Sequence, residues 1–84
     1  MPSAGDTRIL SGILIIQCDL PEAVVWVDER RIGEVGMLAA GIRVAAGAHR
    51  VEVRHDDRFP RFLDVTVASG EKRLVPVTLA EVLD

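Results

Sequence analysis

Val51 and Val53 alternate strictly with Arg50, Glu52 and Arg54, and a period of two points to a single local geometry. On a β-strand successive side chains point to opposite faces, so the valines share a buried face and the charged residues a solvated one. The same rhythm returns further on. Leu63, Val65 and Val67 alternate with Phe62, Asp64 and Thr66, and Val75, Val77 and Leu79 alternate with Pro76 and Thr78. A helix would need apolar residues three and four apart, which these runs lack.

Turn chemistry cuts the chain at intervals of about eight to twelve residues, the spacing of a sandwich or barrel. The runs between turns predict seven short strands, at 13–18, 23–28, 31–35, 42–44, 49–55, 61–68 and 73–79. Pro21 sits in the first break and cannot donate to a central ladder. Asp28-Glu29-Arg30 reverses the chain, and Asp56-Asp57-Arg58 does so again. Ser69-Gly70-Glu71-Lys72 is predicted as a hairpin turn leading into a closing strand. Pro76 falls on the outward parity of that strand and marks it as a sheet edge. Residues 37–46 are ambiguous, with enough Ala and Leu for one helical turn before the strand at 42–44. Gly47 is expected to take a positive φ or to lie close to another strand. The pattern as a whole predicts an all-β fold, seven short strands in a two-sheet antiparallel sandwich.

At 84 residues the chain is one domain, near the lower limit for a fold held by a hydrophobic core alone. That domain is expected over residues 11–80, with a flexible N-terminal tail at 1–10 and a C-terminal tail at 81–84. Net charge is −3, which argues against duplex nucleic acid as a partner. One Trp, two Phe and no Tyr leave few rings for stacking on sugars or single strands. The apolar run at 13–16 is too short to span a bilayer, and the start lacks the basic and small-residue pattern of a signal peptide. The chain therefore reads as cytoplasmic if it is the whole protein; if it is a fragment of an exported one, its location is open.

Catalytic chemistry finds little support. His49 and His55 are the only imidazoles and lie about 20 Å apart along an extended strand, too far to share a metal. His55-Asp56-Asp57 reads as a polar turn in which carboxylates bond their own backbone, rather than as a cation site. Cys18 is the lone cysteine, on the inward parity and without a neighbouring base, so it reads as a small core residue. Ser11 and Ser69 have no base and orienting group at a useful spacing. No enzyme, metal or cofactor is expected.

Two surface features remain. With Leu14, Ile16, Cys18, Ala23, Val25 and Val27 inward, Ile13, Ile15, Val24 and Trp26 fall on the opposite parity, where a free sandwich carries polar residues. Together they would make an exposed apolar patch of interaction-site size. The alternative is that the 37–46 segment or Ile9-Leu10 folds over them. Arg50 and Arg54 form the second feature, a candidate face for an anionic partner, with a charge-balanced solvated strand as the plainer reading.

The order of these residues resembles a known family, the PEGA domain. Gly12, Leu14, Ile16, Cys18, Pro21, Ala23, Val25, Val27, Asp28 and Gly33 follow that family's opening pattern without a gap. Gly47 through Val53 is similar to its G-x-h-x-V-x-V strand, and Val65 through Gly70 to Leu79 to its closing hairpin. The sequence departs from the pattern at Glu22, at Glu29, at Val35-Gly36 and at Arg58-Phe59. The resemblance implies a non-enzymatic β-sandwich module of bacterial or archaeal origin with a scaffolding or ligand-binding role. It leads to the expectation of a protein-interaction or scaffolding module, binding another protein or a second copy of itself. A carbohydrate-binding module of an envelope protein, or a small regulator acting on an enzyme, are the alternatives.

Overall fold

The computed structural model describes residues 10–82; residues 1–9, which make up nearly all of the expected N-terminal tail and include Ile9, lie outside it, as do 83–84. Seven strands follow in order: β1 (Ser11–Gln17), β2 (Val24–Val27), β3 (Arg30–Glu34), β4 (Ile42–Ala45), β5 (Gly47–Arg54), β6 (Arg61–Val67) and β7 (Lys72–Pro76). They form two sheets, one in the order β4-β1-β7 and the other in the order β3-β2-β5-β6. The two pack as a small all-β sandwich.

Inward parity fills the space between the sheets. Leu14, Ile16, Val25, Val27, Ile42, Val44, Val51, Val53, Val65, Val67, Val75, Val77 and Leu79 are buried together with Ala23. Cys18 is half-buried against this cluster. Gly12 is where β1 meets the end of β6. A Cβ there would collide with the Val67 side chain and come within 2.8 Å of the Ala68 carbonyl oxygen and 2.9 Å of that of Glu71. Only glycine permits this approach.

The turn between β2 and β3 is a tight two-residue hairpin. Val27 pairs with Arg30, leaving two loop residues, and both have positive φ: Asp28 at 51° and Glu29 at 70°. Positive φ at both central positions is what a type I′ hairpin demands, because its twist matches that of the flanking strands. Asp tolerates this region, but Glu does so at a cost. Gly47 also has the expected positive φ, 133°, although nothing approaches it closely. The ambiguous 37–46 stretch begins at the end of a 3₁₀ turn (Val35–Met37), turns at Ala39-Ala40, where the Gly41 N–H donates to the Leu38 carbonyl, and continues into β4.

Two expectations need correcting. The 69–72 turn does not make a hairpin, because β6 pairs with β5 in one sheet while β7 runs parallel to β1 in the other. Gly70 (φ 78°) bends the chain across the sandwich. Its N–H donates to the Ser11 carbonyl, and the Ile13 N–H donates to the carbonyl of Glu71, both at 2.8 Å. Ser-Gly suits a corner as well as a hairpin, and β1 would otherwise lack a partner on that edge. Nor do residues 81–82 trail freely: Glu81 bridges Arg58, and the Val82 N–H donates to the Asp57 carbonyl. At the other end, the Leu10 carbonyl accepts from the Ala46 N–H at 2.8 Å.

The Asp28-Glu29 geometry leads to a stability prediction. Glu29→Gly should raise folding stability by about 1 kcal/mol, read as a higher urea midpoint at unchanged slope. A midpoint that stays put or falls would contradict the turn assignment.

Candidate functional site

The outer face of the four-stranded sheet carries an open groove of about 640 Å³. Strand register builds it: Trp26 lies opposite Arg31 on one side and Glu52 on the other, and Glu52 lies opposite Phe62. In the next row Val24 sits between Glu34 and Arg54. Val24, Trp26 and Phe62 give the groove an apolar floor, and His55, Arg58 and Pro60 line the end near β6. A bulge in β3 interrupts its pairing between Val25 and Trp26.

The cation beside Trp26 in the groove, Arg54, is already paired. The Arg54 guanidinium lies over the Trp26 ring, 5.2 Å from its centroid, a cation–π placement, and also bonds the Glu52 carboxylate. Arg50 lies further along β5, where its Nε donates to Asp64 Oδ1 at 3.3 Å. Arg50 and Arg54, read together as an anionic-partner face, are thus each matched to a carboxylate. At a strongly exposed surface such pairs stabilise the fold by under about 1 kcal/mol, so their main effect here is to neutralise the face.

The expected four-residue apolar patch is divided by the topology. Val24 and Trp26 lie on the outer face of the four-stranded sheet, whereas Ile13 and Ile15 belong to β1 and face outward from the other side of the sandwich. Shared parity does not make the two strands neighbours, because β1 and β2 sit in different sheets. All four side chains are half-buried. Gly41 packs on Ile13 and Ile15 so closely that a Cβ would collide with Ile13 Cγ2 and lie 3.4 Å from Ile15 Cγ1. The 37–46 segment therefore shields that pair in part. Phe62 was legible as outward, but its position beside Trp26 depends on two strand pairings that no local pattern specifies.

A second arrangement escaped sequence reasoning. His49 lies on the inward parity of β5, at the end of the sandwich. Its Nδ1 is 2.5 Å from Asp28 Oδ2 and its Nε2 is 2.6 Å from the Ala45 carbonyl oxygen. Both partners are acceptors, so both contacts are satisfied only when the ring carries two N–H groups, as imidazolium. The Ala45 carbonyl and then the Asp28 carboxylate raise the His49 pKa above its ordinary value. His49, followed by the Arg50 backbone N–H, in turn lowers that of Asp28. The clasp ties the β2–β3 turn to the end of β4, and so one sheet to the other. His55 instead closes the turn before β6: its Nδ1 accepts from the Asp57 N–H at 3.2 Å, and its carbonyl accepts from the Arg58 N–H at 3.1 Å.

Among the described residues no three His, Cys, Asp or Glu side chains converge as metal ligands, and no helix is long and apolar enough to cross a membrane. The chain matches no family model, and no curated protein is significantly similar to it.

Linkage fixes the sign of a pH effect. His49 has a raised folded pKa, so its contribution is complete below the unfolded value of about 6.5 and is lost as pH rises through the folded value. Asp28 is lowered, so its part is present above the ordinary carboxylate range and is lost in acid. Stability of the domain should fall on the alkaline side of pH 6.5, and His49→Gln should flatten that limb. An unchanged alkaline slope in His49→Gln would contradict the clasp; so would an NMR titration placing the His49 imidazole at or below its ordinary value.

Proposed function

We propose that this chain is a non-catalytic protein-interaction module of the PEGA kind, and that it takes up its partner on the outer face of the four-stranded sheet. The observation that carries the reading is Trp26. It stands half-buried in an open groove that Val24 and Phe62 also line, within a rim of charged residues. An aromatic anchor inside a polar rim is the usual anatomy of an interface hot spot. Phe62 is 54% exposed, a large apolar surface left in water beside the anchor.

Trp26 and Phe62 in one groove also suggest a sugar platform. Sugar stacking requires an open ring face, and Arg54 occupies the face of Trp26. Protein recognition accommodates that arrangement more readily, since a partner carboxylate or backbone carbonyl can meet the guanidinium.

Trp26→Ser tests the proposal. It should leave the thermal transition nearly in place while weakening capture of the partner from the native host by about 30-fold, the effect of losing a 2 kcal/mol hot spot. Phe62→Ser should act in the same direction. A glycan array should show no binding. Unfolding of the Trp26→Ser chain would make Trp26 a core residue, and undiminished capture by both variants would remove the groove from the account.

A further inference from the structure

The four-stranded sheet has a free edge beside the groove, at β6. The backbone bonds of Arg50 establish which groups face it. The Asp28 N–H donates to the Arg50 carbonyl at 2.8 Å, and the Arg50 N–H donates to Asp28 Oδ1 at 2.9 Å. Arg50 therefore turns both backbone groups toward β2, and alternation turns those of Val51 toward β6. Val51 lies opposite Leu63, so Leu63 bonds back to β5. Phe62, Asp64 and Thr66 consequently point their N–H and C=O groups away from the sheet. Among the described residues no hydrogen bond reaches these groups.

The other three edges are protected. β3 is bulged, and β4 has only four residues. In β7 the Val77 N–H donates to the Gln17 carbonyl and the Glu71 carbonyl accepts from the Ile13 N–H; odd positions therefore serve β1, and Pro76 occupies the free edge with no N–H to offer. β6 has seven residues, without proline or bulge. An unprotected edge of that length is a template for another strand.

We infer that β6 is a docking edge that takes an extended segment of a partner protein as a fifth strand of the β3-β2-β5-β6 sheet. This rests on the proposed groove reading and specifies how the partner would lie. Three donor–acceptor pairs two residues apart repeat at roughly 6.8 Å, a spacing that an extended backbone matches. The side chains beside them define the partner's chemistry. Phe62 calls for an apolar residue, and Asp64, which accepts from Arg50 Nε through Oδ1 yet remains 77% exposed, offers its other oxygen to a basic one. A second copy of this chain fits poorly. The antiparallel register that uses all of β6 is centred on residue 64 and sets Asp64 against Asp64, a destabilising like-charge pair.

The probe is the tightest linear peptide selected from a displayed random library on the full chain, with a copy N-methylated at alternate amides. The selected sequence should alternate apolar and polar residues and include a basic one. Saturation with it should slow amide exchange at Phe62, Asp64 and Thr66 by at least about tenfold, and N-methylation or Thr66→Pro should each weaken binding by about tenfold or more. If the peptide needs Trp26 but leaves those three amides unprotected, the edge inference falls and the groove reading stands. If the amides are protected while Trp26→Ser binds normally, the edge stands and the groove reading falls. Failure to select any peptide, or light scattering showing that the chain dimerises through β6, overturns the edge inference.

Discussion

The space between the two sheets is filled by aliphatic side chains, and no polar side chain is buried among the described residues. Such a core has no buried hydrogen bond to fix which strand lies where, so side-chain parity must do so. Shifting β2 by one residue would expose Val25 and Val27 and turn Trp26 inward. Burying a valine contributes about 1.5–3 kcal/mol, so two valines weigh heavily against a total stability of about 5–15 kcal/mol. The bare backbone of Gly12 lets β1 settle against the end of β6 at van der Waals range. Parity thus determines the core and, through the residues it rejects, the surface. Trp26, Phe62, Arg50 and Arg54 lie outside because their neighbours lie inside.

A polar side-chain connection between the sheets lies at the end of the sandwich. Asp28 holds a left-handed turn position and binds both His49 and the Arg50 N–H. Those contacts over-determine the turn, so Glu29 can keep a positive φ where glycine would sit more easily. His49 completes the link by reaching the Ala45 carbonyl in the opposite sheet. A titratable clasp at this point makes the end of the domain more sensitive to pH than its middle, where only aliphatic contacts act.

What was legible in the sequence was what is local. The alternation of Val51 with Arg50 and Glu52, the turn at Asp28, the edge mark of Pro76 and the positive φ of Gly47 all follow from a few adjacent residues. What depends on pairing was not legible. Ser69-Gly70 reads equally as a hairpin or as a corner, and only β1's need for a neighbour decides between them. Ile13 and Ile15 share a parity with Val24 and Trp26, but the chain crosses from one sheet to the other between them. Trp26 and Phe62 line one groove from either side of β5, and His49 meets Asp28 across 21 positions, distances that no periodicity encodes.

The four-stranded sheet has two exposed features, a groove with an aromatic floor and an edge strand, and Phe62 belongs to both. Each depends on the register of β2 and β5, which the chain's single tryptophan can report directly. The decisive measurement is acrylamide quenching of native Trp26 fluorescence, compared with the denatured chain. The register described here predicts clear quenching in the native state, at a substantial fraction of the denatured rate, with emission only modestly shifted to the blue. Strongly blue-shifted emission that acrylamide barely quenches would place Trp26 in the core, and with it would go the groove and the parity on which it rests.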